Sequence, residues 1–168
     1  MNDIKPRRHG YEKVLQAIEN RWKRRPADRG RIMQHIIDTL WDTFGVTGTY
    51  SWCGFYLPSH DGKQLVLGPS RDKPACNPIA ITGVCGKALS TATTQVVPDV
   101  KALGDAHIEC DPKNVSEIAI PVFGPDGKPF AVLDVDSYEA GAFDDLDQRW
   151  LERIVRPLES SPAPRRDE

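Results

Sequence analysis

Four cysteines are the residues of this sequence with the most distinctive chemistry. They lie at positions 53, 76, 85 and 110, and no two of them form a C-x-x-C pair. This spacing argues against a zinc ribbon and against a thioredoxin-type redox motif. The run His107-Ile108-Glu109 matches the H-x-E part of the zinc deaminase signature, but no P-C-x-x-C follows it. The sequence therefore predicts no metal site.

Three of the cysteines lie in or beside segments rich in Gly, Pro, Asn or Asp. Cys76, Cys85 and Cys110 fall in residues 74–78, 83–86 and 109–112. Loop cysteines are accessible, and the dipole of a predicted helix beginning near Cys85 would lower the pKa of its thiol. One such cysteine would be unremarkable, but three of them in a cytosolic chain favour redox chemistry.

Cys53 belongs to a different environment, the predicted strand Tyr50–Leu57. Period-two alternation places it on the face opposite to Tyr50, Trp52 and Tyr56. It is therefore predicted to be a small core residue, as free buried cysteines usually are. Trp52 and Tyr56 could form walls of a pocket on the other face, although strand aromatics are more often plain core.

Two carboxylates stand out in the predicted strand Phe130–Asp136. Asp134 and Asp136 are two residues apart and therefore project from one face. They lie either at the exposed end of that face or in a polar pocket, and the sequence leaves both alternatives open. If they are buried together with Glu117, the like charges raise at least one pKa. Such a cluster binds an ammonium group and can keep one acid protonated for catalysis.

The surrounding pattern predicts short strands between helical ends. A short helix over Tyr11–Asn20 and a longer one over Ile32–Phe44, ended by Gly45, precede the strands. A further helix over Gly83–Ala92 and a last one opening at Phe143 are also predicted. The other predicted strands are Gln64–Gly68, Thr94–Val97 and Glu117–Phe123, and a turn at residues 124–127 joins the last to Phe130–Asp136. This order indicates one α+β domain with a central antiparallel sheet flanked by helices from both ends.

Composition and charge bound the class of protein. Of the 168 residues, 39% are hydrophobic and 27% charged, which is ordinary for a globular protein. No apolar run is long enough to cross a bilayer and no secretory signal is evident, so a cytoplasmic protein is expected. Residues 1–31 carry ten Lys/Arg against four Asp/Glu. Because no aromatics interleave these basic residues, a solvated helical leader is favoured over nucleic-acid binding.

The ordered set of motifs resembles the free methionine-(R)-sulfoxide reductases, a family of GAF-domain enzymes. The similarity runs from about residue 30 to about residue 156, and three loop cysteines are not expected in a generic GAF signalling domain. The resemblance implies a catalytic GAF-type domain over residues 30–158, after a basic helical leader over 1–29 and before a disordered tail over 159–168. The motifs that carry it are Trp52–Leu57, Leu65–Pro69, Ala75-Cys76, Gly83–Gly86, Ile108–Asp111, Ser116–Ile118 and Val132–Ser137.

The resemblance also implies roles for individual residues. Cys110 matches the cysteine that attacks the sulfoxide sulfur and becomes a sulfenic acid. Cys76 matches the main resolving cysteine, and Cys85 a second cysteine that takes part in disulfide exchange. No bound cofactor is implied, because electrons come from thioredoxin and ultimately from NADPH, and homodimers are common in the family. The residues implied in substrate binding are Trp52, Tyr56, Glu117, Asp134 and Asp136.

Two other functions remain compatible with the sequence. A non-catalytic GAF sensor would bind a small molecule or switch through a disulfide, but would not require three loop cysteines together with three acids. A peroxidase would use Cys110 through the same sulfenic acid chemistry, but would have no use for an ammonium-binding cluster.

Overall fold

A six-stranded antiparallel sheet and four α-helices form the part of the chain that the computed structural model describes, residues 4–24 and 27–161. Short 3-10 helices cover Val100–Ala106 and Arg156–Ser160, and a π-helical turn, Trp41–Gly45, extends the second helix. No helix within the described residues is long and apolar enough to cross a membrane. In chain order the elements are α1 (Ile4–Arg24), α2 (Arg29–Leu40), β1 (Trp52–Pro58), β2 (Gln64–Arg71), β3 (Ile79–Ala80), α3 (Val84–Thr91), β4 (Gln95–Val97), β5 (Ser116–Phe123), β6 (Pro129–Ser137) and α4 (Asp145–Val155).

The strands are arranged in the order β3-β2-β1-β6-β5-β4, and every neighbouring pair is antiparallel. The predicted fold class, an α+β domain with a central antiparallel sheet and helices from both ends, is confirmed. β5 and β6 form the hairpin that the turn residues indicate, with Gly127 at a φ of +75°. The backbone N–H of Gly124 donates to the carbonyl of Lys128 at 2.9 Å and closes this turn.

The two faces of the sheet carry different partners. Helices α1, α2 and α4 cover one face and form the main hydrophobic core with it, while α3 lies on the other face. Alternation in β1 sends Cys53 into the main core and turns Trp52 and Tyr56 toward α3. Cys53 is fully buried, so its predicted core position is confirmed. Tyr50 was assigned to the wrong face: it precedes β1 and packs against Phe44 in the main core.

The N-terminal helix is longer and more buried than predicted. Instead of covering residues 11–20, α1 runs from Ile4 to Arg24, and Tyr11, Val14 and Ile18 are buried in the same core as α2 and α4. The interpretation as a solvated leader is therefore wrong for this face of the helix. At the other end, residues 159 and 160 belong to a 3-10 helix and Ser161 is buried. The rest of the predicted disordered tail, residues 162–168, lies outside the described residues.

A buried polar network fastens α1 to the beginning of α4. Arg7 binds Asp147 at 2.5 Å and Asp144 at 2.9 Å, and the side chains of Arg7 and Asp147 are only 9% and 2% exposed. The hydroxyl of Tyr11 donates to Asp147 Oδ1 at 2.7 Å and lies 2.8 Å from the hydroxyl of Tyr50. The basic N-terminal segment thus contributes a structural cation as well as apolar surface.

Replacing Arg7 with leucine is expected to lower the free energy of unfolding by about 3 kcal/mol, because Asp147 would stay buried without its cation. Urea denaturation measures the change. Arg8→Leu is the matched control, since Arg8 pairs with Glu12 at the surface and such pairs contribute at most about 1 kcal/mol. Equal losses in the two variants would contradict a stabilising role for the buried network.

Candidate active site

A cavity of about 170 Å³ lies between the α3 face of the sheet and two loops, residues 72–78 and 107–114. Strands β1, β5 and β6 form its floor, and α3 closes one side. The cavity brings together seven of the eight predicted site residues: Trp52, Tyr56, Cys85, Cys110, Glu117, Asp134 and Asp136. The eighth, Cys76, is joined to Cys110 by a disulfide.

The strand register places the acidic residues in the middle of this floor. Asp136 of β6 lies between Glu117 of β5 and Trp52 of β1, as the directly opposed residue in both strand pairs. In the next row Asp134 lies between two small residues, Ala119 and Gly54. Neither neighbour has a side chain that extends beyond Cβ, and the space above Gly54 holds the indole of Trp52.

Gly54 gives the indole of Trp52 its position. A Cβ atom at residue 54 would collide with the Trp52 ring and would lie 2.8 Å from the Cβ of Ser70. With glycine present, the indole folds across the strand, and its Nε1–H donates to the carbonyl of Lys73 at 3.2 Å. The phenol of Tyr56 lies beside it, with ring centroids 6.0 Å apart. The two rings therefore line the cavity as the predicted aromatic pair.

Gly54→Ala is expected to displace the Trp52 ring and to lower the free energy of unfolding by about 1–3 kcal/mol, the usual cost of overpacking a core. Denaturant unfolding and near-ultraviolet circular dichroism follow the two effects. Gly30→Ala is the control, because the nearest atom to a Cβ at that helical position is 3.4 Å away. An unchanged stability and spectrum for Gly54→Ala would contradict this packing.

The three acids are withdrawn from solvent, so the alternative that they sit at an exposed strand end is wrong. Glu117 and Asp134 are 8% and 6% exposed, and Asp136 is half-buried. Burial raises the pKa of each carboxyl group, and for Asp134 the nearby charges of Glu117 and Asp136 raise the pKa further. The three like charges are thus crowded together as the sequence suggested, and burial, with charge added at Asp134 and Asp136, favours the protonated form of the acids.

The members of this cluster differ in their hydrogen bonds. Asp136 Oδ2 accepts a bond of 3.0 Å from the side-chain amide of Asn114, which is held in turn by the hydroxyl of Ser51 at 2.8 Å. Asp134 Oδ1, by contrast, is buried and receives no donor from the described residues. Asp136 is thus fixed by the protein, whereas Asp134 has an acceptor free for a ligand.

Cys85 lies in a different environment from the one predicted. It is the second residue of α3, but it is 4% exposed rather than accessible. Burial raises the pKa of its thiol well above the ordinary value, and the charges of Asp134 and Glu117 raise the pKa further. The expected lowering by the helix dipole is therefore wrong, because desolvation and two nearby carboxylates outweigh an eight-residue helix.

The Cys76–Cys110 disulfide lies at the mouth of the cavity, with Cys110 exposed and Cys76 half-buried. The loop that carries Cys76 is attached to the floor, because the hydroxyl of Tyr56 donates to the carbonyl of Cys76 at 2.8 Å. Cys110 therefore lines the same cavity as the three acids while it stays exposed to solvent.

Comparison with known proteins assigns the family. The GAF domain family matches residues 26–160. A free methionine-R-sulfoxide reductase from Neisseria meningitidis, solved with its substrate, is 35% identical with a TM-score of 0.79, over 89% of this chain and 86% of that one. The chain belongs to the free methionine-R-sulfoxide reductase family of GAF domain proteins.

Two curated relatives carry the same family name. The free methionine-R-sulfoxide reductase of Saccharomyces cerevisiae is 40% identical over 113 residues, which are 66% of this chain and 62% of the yeast protein. The enzyme of Escherichia coli with that name is 41% identical over 110 residues, 65% of this chain and 64% of its own. The matched region thus spans a little less than two thirds of each of these relatives.

Several residues of this GAF domain site were not anticipated from the sequence. Lys73 binds Asp111 at 2.5 Å and contacts Tyr138, whose hydroxyl donates to the same carboxylate at 2.9 Å. The Lys73 ammonium lowers the pKa of Asp111 to about 2. This triad ties the Cys76 loop to the Cys110 loop. Asn114 was also missed, although its place four residues after Cys110 was a usable signal.

Proposed function

We propose that this protein reduces free L-methionine-(R)-sulfoxide to L-methionine, using Cys110 as nucleophile. The observation that carries the proposal is the convergence of Cys110 and a buried three-carboxylate cluster on one cavity with aromatic walls. A relative with the same fold, a free methionine-R-sulfoxide reductase, was solved in complex with its substrate. Cysteine for chemistry and carboxylates for recognition are the two elements that this reaction needs.

The acid cluster is suited to select a free amino acid. A buried group of carboxylates carries negative charge that an ammonium ion compensates, and Asp134 Oδ1 offers an acceptor without a donor. A methionine sulfoxide inside a peptide has no ammonium group to place there. Trp52 and Tyr56 provide apolar walls for the side chain of the substrate. The pairing of the substrate ammonium with the buried carboxylates therefore discriminates against peptide-bound sulfoxide.

The chemical step joins the Cys110 thiolate to the sulfoxide sulfur. Oxygen is then transferred to Cys110, so that the substrate is reduced to the thioether and the cysteine is oxidised to a sulfenic acid. The sulfoxide oxygen must be protonated as its bond to sulfur breaks. Glu117 and Asp134 have raised pKa values and lie within hydrogen-bonding reach of each other, so they can hold that proton.

Cys76 completes the turnover in this proposal. Its thiol condenses with the sulfenic acid of Cys110, releasing water and forming the disulfide, which prevents further oxidation. Cys85 is a weaker resolving group, because its raised pKa leaves little thiolate at neutral pH. Thioredoxin then reduces the disulfide by exchange, for which the exposure of Cys110 is favourable. A cytoplasmic location is consistent with thioredoxin as the reductant. The formation of a homodimer is a further prediction from the family resemblance.

A coupled assay tests the activity. The pre-reduced protein is incubated with racemic free methionine sulfoxide, thioredoxin, thioredoxin reductase and NADPH, while NADPH loss and the remaining stereoisomers are measured. Consumption of the R form alone, with no action on a peptide-bound sulfoxide, is expected. A parallel reaction with dithiothreitol separates an inactive protein from a mismatched thioredoxin. Absence of turnover with both reductants would contradict the proposal and favour a GAF sensor.

A further inference from the structure

Three potential metal ligands of different chemistry converge on the floor of the cavity. The Sγ atom of Cys85 and carboxylate oxygens of Glu117 and Asp134 all lie within 4.8 Å of one another, and all three residues are buried. Cys85 Sγ is 4.0 Å from Glu117 Oε1. The sulfur comes from α3 and the oxygens from β5 and β6, so the set is assembled only by folding. This explains why cysteine spacing alone predicts no metal site.

Two atoms that line this cavity are buried without a hydrogen-bond partner among the described residues. Asp134 is 6% exposed, yet no donor among the described residues reaches its Oδ1 atom. His107 lines the same cavity, and its Nδ1 atom is likewise buried without a partner. A buried acceptor left unpaired destabilises the folded protein. A cation in the cavity would remove this cost for Asp134.

We propose that Cys85, Glu117 and Asp134 bind one Zn²⁺ ion, with the thiolate and two carboxylates as ligands and the fourth position open to the cavity. Ligand atoms around a tetrahedral Zn²⁺ are roughly 3.5 Å apart. The three ligand atoms, which lie within 4.8 Å of one another, therefore need to move by about 1 Å through side-chain rotation to complete the site. The sulfur ligand selects a borderline-soft ion over Mg²⁺ and Ca²⁺, which take oxygen ligands. Binding displaces to solvent the thiol proton and the proton held by the two carboxyl groups.

Zn²⁺ binding at this site would interfere with the reaction. The three ligands lie on the cavity floor where the proposed function places the substrate ammonium, so Zn²⁺ and free methionine sulfoxide compete for the same position. This competition rests on the proposed function, whereas binding of the ion does not. Zn²⁺ is therefore an inhibitory ligand that raises the apparent KM for the sulfoxide.

Cobalt is the probe for the binding test, because a Co²⁺–thiolate bond gives a charge-transfer absorption that oxygen ligands do not. Untagged protein in the disulfide form is titrated with Co²⁺, so that Cys53 and Cys85 are the two free thiols of the chain. One ion per chain with the thiolate band is expected, followed by loss of the band when Zn²⁺ is added. Cys85→Ser should remove the band, whereas the control Cys53→Ser should keep it.

Glu117→Gln provides a second test that leaves the thiol in place, and it should weaken Zn²⁺ binding at least tenfold in calorimetry. Absence of a thiolate band in the unmodified protein, or its persistence in Cys85→Ser, would overturn the metal site. Tight Zn²⁺ binding without any effect on KM would leave the site standing and overturn the competition. Failure of the reductase assay alone would not affect the cobalt result, so the two proposals can be separated.

Discussion

Cys110→Ser is expected to abolish reduction of free methionine-(R)-sulfoxide, with a fall in kcat/KM of more than about 10³-fold. A serine hydroxyl is almost never ionised near neutral pH, and it cannot form the sulfenic acid that carries the oxygen away. The coupled NADPH assay measures the loss. Substrate binding should persist, because the acid cluster and the aromatic walls are untouched, and calorimetry with the sulfoxide checks this.

Cys53→Ser is the matched control for that variant. Cys53 is fully buried on the opposite face of the sheet, in the main core with α2, and does not line the cavity. The single-turnover rate of Cys53→Ser should therefore remain close to that of the unmodified protein, even if the free energy of unfolding decreases. Retained turnover in Cys110→Ser would refute the assignment of the nucleophile.

Asp134→Asn is expected to lower kcat/KM by about 10²–10⁴-fold, since the reaction would lose a proton donor. In the unmodified protein, burial and the charges of Glu117 and Asp136 raise the pKa of Asp134 well above 3.8. The protonated acid is the active form, so the rate should fall as pH rises through this raised pKa. The pH profile of kcat/KM should show this decrease in the unmodified protein, and the decrease should be smaller in Asp134→Asn.

The same substitution should stabilise the fold. Because the folded state raises the pKa of Asp134, the folded chain keeps a proton that the unfolded chain releases above pH 3.8. The free energy of unfolding therefore decreases as pH rises from there to the raised pKa. Asparagine removes this penalty, so we expect a gain in the free energy of unfolding at neutral pH that disappears at acid pH. Urea denaturation at several pH values measures it.

Asp42→Asn is the control for both effects, since Asp42 is exposed in the π-helical turn that follows α2 and does not line the cavity. It should change neither the pH profile nor the stability. If Asp134→Asn lost stability at neutral pH, or kept full activity, the carboxyl group could not have the role described here.

The local elements were predictable because their signals lie within a few residues. Period-two alternation correctly put Cys53 in the core, and the Gly-Pro-Asp-Gly turn correctly joined β5 to β6. The shared face of Asp134 and Asp136 follows from the same alternation. Whether that face is solvated or buried depends on loops and on α3, and this information is not local.

The errors also have physical causes. The environment of Cys85 was misjudged although its helix was predicted, because the packing of that helix against two carboxylates from distant strands leaves no local signal. The burial of α1 was missed because its basic surface dominates the composition, while Tyr11 and Val14 form a narrow apolar face. The tie made by Lys73 joins segments far apart in the chain, so no spacing rule indicates it, whereas only the position of Asn114 four residues after Cys110 gave a local signal.

A single-turnover experiment tests the central claim most directly. The fully reduced protein is mixed with free methionine-(R)-sulfoxide in the absence of any reductant, and methionine is quantified while cysteine-containing peptides are mapped by mass spectrometry. One methionine per chain is expected, together with a new Cys76–Cys110 disulfide. Methionine formed while Cys110 stays a free thiol, or oxidation of Cys110 without release of methionine, would contradict it.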